Sequence, residues 1–379
     1  MQHLPSILKI VEGGIQRDPV KVSRYVTLLS EKLELEGDGA SADLLRKAAG
    51  RLEPKAIHAA RQSTPRPPVD SESRMALADT SWPRLEDINL VFSPETTHEL
   101  DSYVQSHLRR DELLKAGLRA PGHLLLFGPP GCGKSQTARY VAAALALPLV
   151  TARVDALVSS YLGSTAKNIR MLFDYVDQTP CVLFLDEFDA IAKMRDDPHE
   201  LGELKRVVNS LLQNIDALPE GVAVVAATNH PQLLDAAVWR RFEFHVRLGP
   251  LADKERRTLL EACLRGDKPD SAIQSALSLL ADGLTPAQIH RAVERSARRA
   301  FLSGANAPSM SDVAGSLASS LRESEGEMKN PWPRSTNEQI RYLRDLSDSV
   351  FTYDVISQIV GVSKGKISGV LSGKATDGR

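Results

Sequence analysis

The residues with the clearest chemical purpose form the run GPPGCGKS, from Gly128 to Ser135. This run fits the pattern G-x-x-x-x-G-K-[ST], follows a predicted strand and opens a predicted helix, which is the context that a phosphate-binding loop requires. We expect its backbone N–H groups to surround a β-phosphate, Lys134 to reach the β- and γ-phosphates and Ser135 to bind Mg²⁺. The alternative is a simple glycine–proline turn, which this context disfavours. The predicted nucleotide-binding residues of the loop are Gly128, Pro129, Pro130, Gly131, Cys132, Gly133, Lys134, Ser135 and Gln136.

An acidic pair follows a second apolar run. Val182 to Leu185 read as a buried strand that ends in Asp186 and Glu187. Ligands of parallel sheets sit at the carboxyl ends of the strands, so Asp186 is expected to hold the water shell of Mg²⁺ and Glu187 to polarise an attacking water. Two acids after a strand would by themselves more often begin a helix. About 50 residues after a phosphate-binding loop, the hydrolytic interpretation is favoured.

The run AATNHP ends a later predicted strand and directs Thr228 and Asn229 at the same edge of the sheet. An amide there can hydrogen-bond both a γ-phosphate and the attacking water. The alternative is a turn built on asparagine and proline.

Adjacent guanidinium groups occur just before the last predicted strand, at Arg240 and Arg241. Guanidinium groups stabilise charge on a transferring phosphoryl group, and they act in trans if the site lies between subunits. The alternative is a solvated basic pair at a helix end.

The polar loop SSYLGST contains an aromatic, an aliphatic and a glycine residue: Tyr161, Leu162 and Gly163. Exposed apolar side chains in such a loop suggest that it grips a ligand. The alternative is that both apolar residues fold back onto the core.

Short apolar runs alternate with helical patterns in the middle of the chain, which predicts an α/β fold with a parallel sheet covered by helices on both faces. The predicted strands are residues 123–127, 149–154, 181–185, 222–227 and 242–248. After residue 253 only helical patterns occur, at 253–264, 271–281, 285–302 and 310–322.

Composition shifts divide the chain into predicted parts. These are an N-terminal helical bundle (1–60), a proline-rich linker (61–83), the α/β domain (84–250), a helical domain (251–322), a second linker (323–334) and a short helical tail (335–379). The N-terminal bundle fits a packing or dimerisation module and an adaptor for partners equally well.

Charge and cysteine content limit the possible classes. The 379 residues carry 47 basic and 48 acidic side chains, which argues against a globally basic nucleic-acid coat. Three cysteines cannot form a disulfide framework. The longest nearly apolar run, Tyr140 to Val150, is too short to cross a bilayer. We therefore expect a cytoplasmic protein with no membrane partner.

The motifs GPPGCGKS, LFLDEFDAIA, AATNHP and DAAVWRRFE, in this order, resemble the ATPase domain of the AAA family over roughly residues 84 to 322. The run RRFE is most similar to the katanin, spastin and Vps-four-like branch. The resemblance implies a P-loop NTPase with a five-stranded sheet, a helical lid, and a homo-oligomeric ring, usually a hexamer, with ATP and Mg²⁺ at each subunit boundary.

The same resemblance implies roles for single residues. Asn229 matches the first sensor, Arg240 and Arg241 match the arginine fingers, and the YLG run matches a pore loop that grips polypeptide. In the lid, Gly283 matches a turn beside the nucleotide base, although the motif GLTPAQIHRA departs from the family pattern. Arg291 is a candidate second sensor.

The N-terminal part looks like stand-alone bacterial AAA proteins, some of which are paired with a subtilisin-like serine protease in defence or plasmid-maintenance loci. The tail resembles a helix-turn-helix, with helices at 354–360 and 364–371. Ser363, Lys364 and Lys366 are its candidate DNA contacts. Gly365 and Gly369 weaken the second helix, so DNA binding and protein binding both remain open.

Two functions follow from the sequence. One is a ring that couples ATP hydrolysis to the remodelling or threading of a protein substrate. The other is an ATP-dependent switch that assembles on DNA through the tail.

Overall fold

The computed structural model describes residues 26, 29–30, 33, 38–39, 41–45, 67–70, 73–119, 121–157, 162–189, 203–219, 222–264, 269–324, 332–333 and 335–373. The chain forms two units, Met1–Pro68 and Val69–Arg379. In the first unit Val26, Leu29 and Ala42 are buried, and residues 41–45 are helical. Most of the predicted N-terminal bundle lies outside the described residues.

The second unit contains a six-stranded sheet in the order β1-β3-β4-β5-β2-β6. Strands β2 to β6 pair in parallel, so the predicted α/β class and its five strands are confirmed. Strand β1 is an addition at the edge, antiparallel to β3, with Ser81 opposite Leu149. The strands are β1 (Ala78–Ser81), β2 (His123–Phe127), β3 (Leu149–Ala152), β4 (Val182–Leu185), β5 (Ala223–Thr228) and β6 (Phe242–Arg247).

Strand β1 corrects the predicted linker at 61–83, which ends two residues after it. Its sequence, ADTS, has no apolar alternation that would predict a strand. The strand forms because the exposed edge of β3 offers backbone partners, and Arg153 N also donates to Leu77 O at 2.9 Å.

Helices cover both faces of the sheet. Alternate residues of β2 point to opposite sides, with Leu125 in the core under one helical layer and Leu124 in the core under the other. Strands β4 and β5 are buried along their whole length, which explains their continuous apolar sequences. The helices of this part are α1 (Pro94–Leu108), α2 (Arg110–Lys115), α3 (Lys134–Ala144), α4 (Val154–Leu157), α5 (Leu162–Gln178), α6 (Glu203–Ala217) and α7 (Ala236–Trp239).

The rest of the unit is helical, and its bounds follow the predicted ones closely. The helices are α8 (Asp253–Leu264), α9 (Ser271–Leu280), α10 (Pro286–Leu302), α11 (Met310–Ser324), α12 (Thr336–Leu346), α13 (Tyr353–Val360) and α14 (Lys364–Leu371). Helices α8 to α11 form the region predicted as a lid, and α12 to α14 form the predicted tail.

Lid and tail, which the sequence separates by a linker, share one hydrophobic core. Leu277 and Leu317 of the lid belong to the same cluster as Phe351 and Ile356 of the tail, and all four are fully buried. Trp332, from the predicted linker, packs so closely that a Cβ atom on Gly315 would lie 2.8 Å from its ring. The tail is therefore built onto the lid, and the boundary at 323–334 does not divide two cores.

No helix among the described residues combines the length and the apolar character needed to cross a bilayer.

Candidate nucleotide-binding site

The phosphate-binding loop connects β2 to α3 and contains backbone positions that only glycine tolerates. Gly128 has φ 144°, and a Cβ atom on it would lie 1.8 Å from Leu248 O. Gly133, with φ 95°, is the N-cap of α3. The first N–H groups of an α-helix have no partner within the helix, so the start of α3 offers donors and a positive dipole end to an anion.

Lys134 is buried at the centre of this loop. Its Nζ donates to Gly128 O at 2.7 Å and to Pro129 O at 2.9 Å. Burial lowers the pKa of the Lys134 ammonium, because desolvation disfavours its charged form. A bound phosphate would supply negative oxygens to the same ammonium and offset that desolvation.

Ser135 and Asp186 are joined across the site. Ser135 Oγ donates to Asp186 Oδ2 at 2.9 Å, and Glu187 N donates to Asp186 Oδ1 at 2.9 Å. A hydroxyl and a carboxylate beside a phosphate-binding loop are the oxygen ligands that suit Mg²⁺ held mainly by phosphates and waters. The described part of the chain contains no cluster of three or more His, Cys, Asp or Glu side chains that could hold a metal ion.

Glu187 has a strained backbone. Its φ is 50°, in the left-handed region that glutamate rarely adopts, and its side chain is exposed. Such conformations cost about 1–3 kcal/mol and cluster at functional sites. The chain turns sharply at this left-handed residue after β4. Glu187 lies in the wall of the same cavity as Asn229.

A buried carboxylate that sequence reasoning missed lies behind Asn229. Asp189 Oδ1 accepts hydrogen bonds from Thr228 Oγ1 at 2.8 Å and from Asn229 N at 3.2 Å. Asp189 is only 6% exposed, so these bonds form in a region of low dielectric. The available signal was a third acidic residue after β4 at helical spacing from Asp186.

The predicted residues surround a cavity of about 870 Å³. The loop, the ends of β4 and β5 and the lid supply its walls. The predicted residues in the wall are Pro130, Gly131, Cys132, Gly133, Lys134, Ser135, Gln136, Asp186, Glu187 and Asn229. Gly128 and Pro129 instead contribute the carbonyls that hold Lys134.

Three parts of the cavity wall contain residues that were not predicted as site residues. The segment before α1 contributes Asp87 and residues 89–93, and Arg247 comes from the end of β6. The lid contributes Leu259, Ala287 and His290, among others. Ala287 N donates to Gly131 O at 3.1 Å, which ties the lid directly to the phosphate-binding loop.

Two predicted lid residues lie outside the described cavity wall. Gly283 forms the left-handed turn before α10, with φ 76°, and the wall begins three residues later at Pro286. Arg291 is exposed and its Nε donates to Ala287 O at 3.3 Å, one turn back in its own helix. The expectation for Gly283 therefore shifts to Pro286 and Ala287.

Neither predicted arginine finger is among the described residues that line this cavity. Arg240 is exposed. Arg241 Nε donates to both carboxylate oxygens of Asp216 at 3.0 Å, and a terminal nitrogen donates to Ala237 O at 2.8 Å. The pair lies at the end of α7, outside the wall of its own nucleotide cavity.

The remaining candidates are placed as follows. Tyr161 lies outside the described residues, and Leu162 and Gly163 begin α5. In the tail, Ser363 caps α14 by accepting from Lys366 N at 3.4 Å. Lys364 Nζ pairs with Asp354, and Lys366 is exposed.

Comparisons with known proteins agree with this geometry. Residues 124–250 match the family described as ATPase family associated with various cellular activities (AAA). The chain carries an ATPase domain of the AAA family. The resemblance to the AAA family is thereby confirmed over residues 124–250, which contain β3 to β6 and all but the first residue of β2.

Several curated proteins are similar to this chain. An uncharacterised AAA family ATPase of Sinorhizobium fredii is 48% identical over 155 residues, which cover 41% of this chain and 47% of that protein. ATP-dependent zinc metalloprotease FtsH 2 of Symbiobacterium thermophilum is 30% identical over 261 residues, 66% of this chain and 43% of that protein. A putative 26S proteasome regulatory subunit homolog of Methanocaldococcus jannaschii is 36% identical over 145 residues, 38% and 39% of the two. The chain thus spans less than half of each of these relatives.

Proposed function

We propose that the protein binds Mg-ATP in the cavity between the phosphate-binding loop and the lid, and hydrolyses it to ADP and phosphate. One observation carries this proposal: a loop with a buried lysine, a serine–aspartate pair and an exposed glutamate face the same cavity. An amide, that of Asn229, lies in the same wall. The groups that bind phosphate, hold Mg²⁺ and activate water are thus within one site.

Each of the site residues named above has a defined task in that reaction. Lys134 and the loop N–H groups bind the phosphates, while Ser135 and Asp186 hold Mg²⁺, which neutralises charge on the phosphate oxygens when bound. Glu187 accepts a proton from the attacking water, and Asn229 orients that water. Leu259 and Ala287 of the lid reduce the access of bulk solvent to the cavity.

Assembly into a homo-oligomeric ring, in our proposal a hexamer, completes the site. Arg240 is exposed and Arg241 lies at the end of α7, away from its own cavity wall, which supports a role at the nucleotide of a neighbouring subunit. A guanidinium supplied in trans stabilises the charge of the transition state.

We further propose a cytoplasmic protein that remodels or threads a polypeptide through its ring. Two of the relatives, a metalloprotease and a proteasome regulatory subunit homolog, have names that concern protein breakdown. The Tyr161-Leu162-Gly163 segment is the proposed contact with the polypeptide. A separate protease, of which a subtilisin-like serine protease is our candidate, is the proposed partner.

The test combines Glu187→Gln with Lys134→Ala. Glu187→Gln removes only the proton acceptor, so it should bind Mg-ATP and hydrolyse it more slowly by a factor on the order of 10²–10⁴. Lys134→Ala should lose nucleotide affinity itself. Cryo-electron microscopy of the Glu187→Gln protein with ATP would then show the ring and any polypeptide in its pore. Parental turnover in Glu187→Gln would contradict the assigned chemistry.

A DNA-bound switch is the second candidate, and the tail supports it. Helix α14 has a serine cap and an exposed Lys366 at its start, as phosphate contacts require. The pairing of Lys364 with Asp354 weakens this case, because it holds one of the two cations within the tail. Charge reversal of Lys364 and Lys366 to Glu should lower DNA affinity and reduce its salt slope by about two if both meet phosphates. Unchanged DNA binding would leave the tail as a protein-docking surface.

A further inference from the structure

A cysteine–histidine pair lies beside the nucleotide cavity in the lid. Cys263 is on α8 and His290 is on α10, with Cys263 Sγ 3.2 Å from His290 Nδ1 and 3.9 Å from Nε2. The thiol is half-buried and the imidazole is exposed, so small reagents can reach both. An imidazole at this distance can take the thiol proton, and the thiolate is the nucleophilic form of cysteine.

Both residues are connected to the cavity by the helices that carry them. Glu255 and Leu259 of α8 line the cavity, and Cys263 follows at the next i+4 position, on the same face of the helix. His290 itself lies in the cavity wall. A chemical modification of Cys263 therefore affects the cavity wall through the contact between Cys263 and His290.

The other two cysteines have a different environment. Cys132 and Cys181 are buried, and burial raises the pKa of the Cys132 thiol and raises that of Cys181 to about 12. Both stay protonated at neutral pH and are poor nucleophiles. The structure describes all three cysteines of the chain. Of these, only Cys263 is both partly exposed and in contact with a histidine that can act as a base.

We propose that Cys263, activated by His290, is a modification site at which peroxides weaken nucleotide binding. The sulfur attacks one peroxide oxygen, an S–O bond forms and the O–O bond breaks. The leaving hydroxide takes the proton from the His290 imidazolium and departs as water. Sulfur is oxidised by two electrons to a sulfenic acid, and the peroxide is reduced.

The expected effect follows from the geometry. Oxidation replaces the thiol that contacts His290 Nδ1 at 3.2 Å with a larger, more polar group, so we expect the imidazole to shift, and with it part of the cavity wall. This inference rests on the proposed nucleotide site for its consequence, whereas the reactivity of the thiol does not depend on that site.

The experiment treats the full chain with hydrogen peroxide, stops the reaction with catalase and labels sulfenic acid with a dimedone-type probe. Mass spectrometry of peptides then gives the labelling rate of each cysteine, and a fluorescent ATP analogue gives the affinity. Cys263 should be labelled fastest, and oxidation should weaken the analogue by about fivefold or more, the lower range of coupling between sites. Cys263→Ser should abolish the affinity change.

The role of the imidazole is tested separately. His290→Gln should slow labelling of Cys263 severalfold or more, because it removes the imidazole that takes the thiol proton. His245→Gln, which removes an exposed histidine of β6, is the matched control and should leave the rate unchanged. Slow labelling of buried Cys181 in every variant reports that the fold is kept.

Two results would overturn the proposal: labelling of Cys132 or Cys181 as fast as Cys263, or complete oxidation of Cys263 without loss of affinity. If the unoxidised protein bound no ATP analogue, the nucleotide site itself would be wrong, and with it the proposed effect on binding. The labelling rates would still measure the reactivity of Cys263, so the two failures are distinguishable.

Discussion

Asp189, four residues after the end of β4, is joined to Thr228, the last residue of β5, by a hydrogen bond of 2.8 Å between Thr228 Oγ1 and Asp189 Oδ1. The same carboxylate oxygen accepts from the backbone of Asn229, so the strand-end turn that presents the glutamate is bonded to the one that presents the amide. Asp189 thus positions Asn229 and does not itself line the described cavity wall.

The first prediction concerns this carboxylate. Asp189→Ala removes the acceptor and leaves Asn229 free to shift, and a displacement of about 1 Å can cost on the order of 10² in rate. We expect kcat to fall with little change in nucleotide affinity. Asp189→Asn keeps an oxygen in the same place and is the matched control, which should retain most activity. Equal losses in the two variants would show that charge matters more than position. The measurements are steady-state hydrolysis and equilibrium binding of ATP.

The second prediction concerns the left-handed backbone of Glu187. Glu187→Gly and Glu187→Ala both remove the carboxylate, but only glycine adopts a φ of 50° without a Cβ penalty. The glycine variant should be the more stable by about 1 kcal/mol. Chemical denaturation of both proteins measures the difference. An alanine variant of equal stability would show that the strain is relieved elsewhere.

The third prediction concerns the arginine pair. Substitution of Arg240 or Arg241 by alanine should reduce hydrolysis, by a factor on the order of 10³ for a full finger. Chains with Arg241→Ala mixed with chains with Glu187→Gln should recover activity, because some interfaces of a mixed ring contain both intact groups. As a control, Glu187→Gln chains mixed with chains that carry both substitutions contain no intact interface. Absence of recovery in confirmed mixed rings would exclude action in trans.

The fourth prediction concerns the core shared by lid and tail. Phe351 is completely buried, so Phe351→Ala should cost about 3–5 kcal/mol through the cavity it leaves. Phe301→Ala is the control, since Phe301 is 80% exposed. Hydrogen exchange should accelerate in α9 and α11 of the lid as well as in α12 to α14. Faster exchange restricted to residues 335–373 would mean that the tail folds by itself.

The fifth prediction concerns the loop that contains Tyr161. Tyr161→Ala should leave basal hydrolysis near the parental rate, because no phosphate-binding role is assigned to this side chain. It should abolish unfolding of a tagged test polypeptide, with Tyr161→Phe as the aromatic control. Full activity of Tyr161→Ala in the cell would favour the DNA-bound switch.

Motifs with fixed backbone requirements were predictable from the sequence. The loop around Gly133, the strand before Asp186 and the helices of the lid all lie within a few residues of their predicted positions, because local pattern and turn chemistry determine them. Contacts between distant segments were not predictable. The segment before α1 lines the cavity and β1 joins the sheet through tertiary pairing, and neither carries a periodic signal.

The lid shows the same division. Its helices follow from apolar periodicity, but the union of lid and tail depends on which faces pack together, as with Leu317 and Phe351. The role of Gly283 was expected from the family resemblance, yet in this segment the cavity wall begins at Pro286 because α10 rather than the turn approaches the loop.

The hydrogen bond from Ala287 to Gly131 has a consequence for the tail as well. This bond ties α10 to the phosphate-binding loop, and α10 packs in the same core as the tail helices. A movement of the lid therefore also displaces α14. Suppose that a molecule binds the tail with different affinity in two positions of the lid. Its binding then changes the affinity for nucleotide, and nucleotide changes the affinity of the tail for that molecule by the same factor. Binding of a molecule to the tail and binding of nucleotide in the cavity are therefore thermodynamically linked.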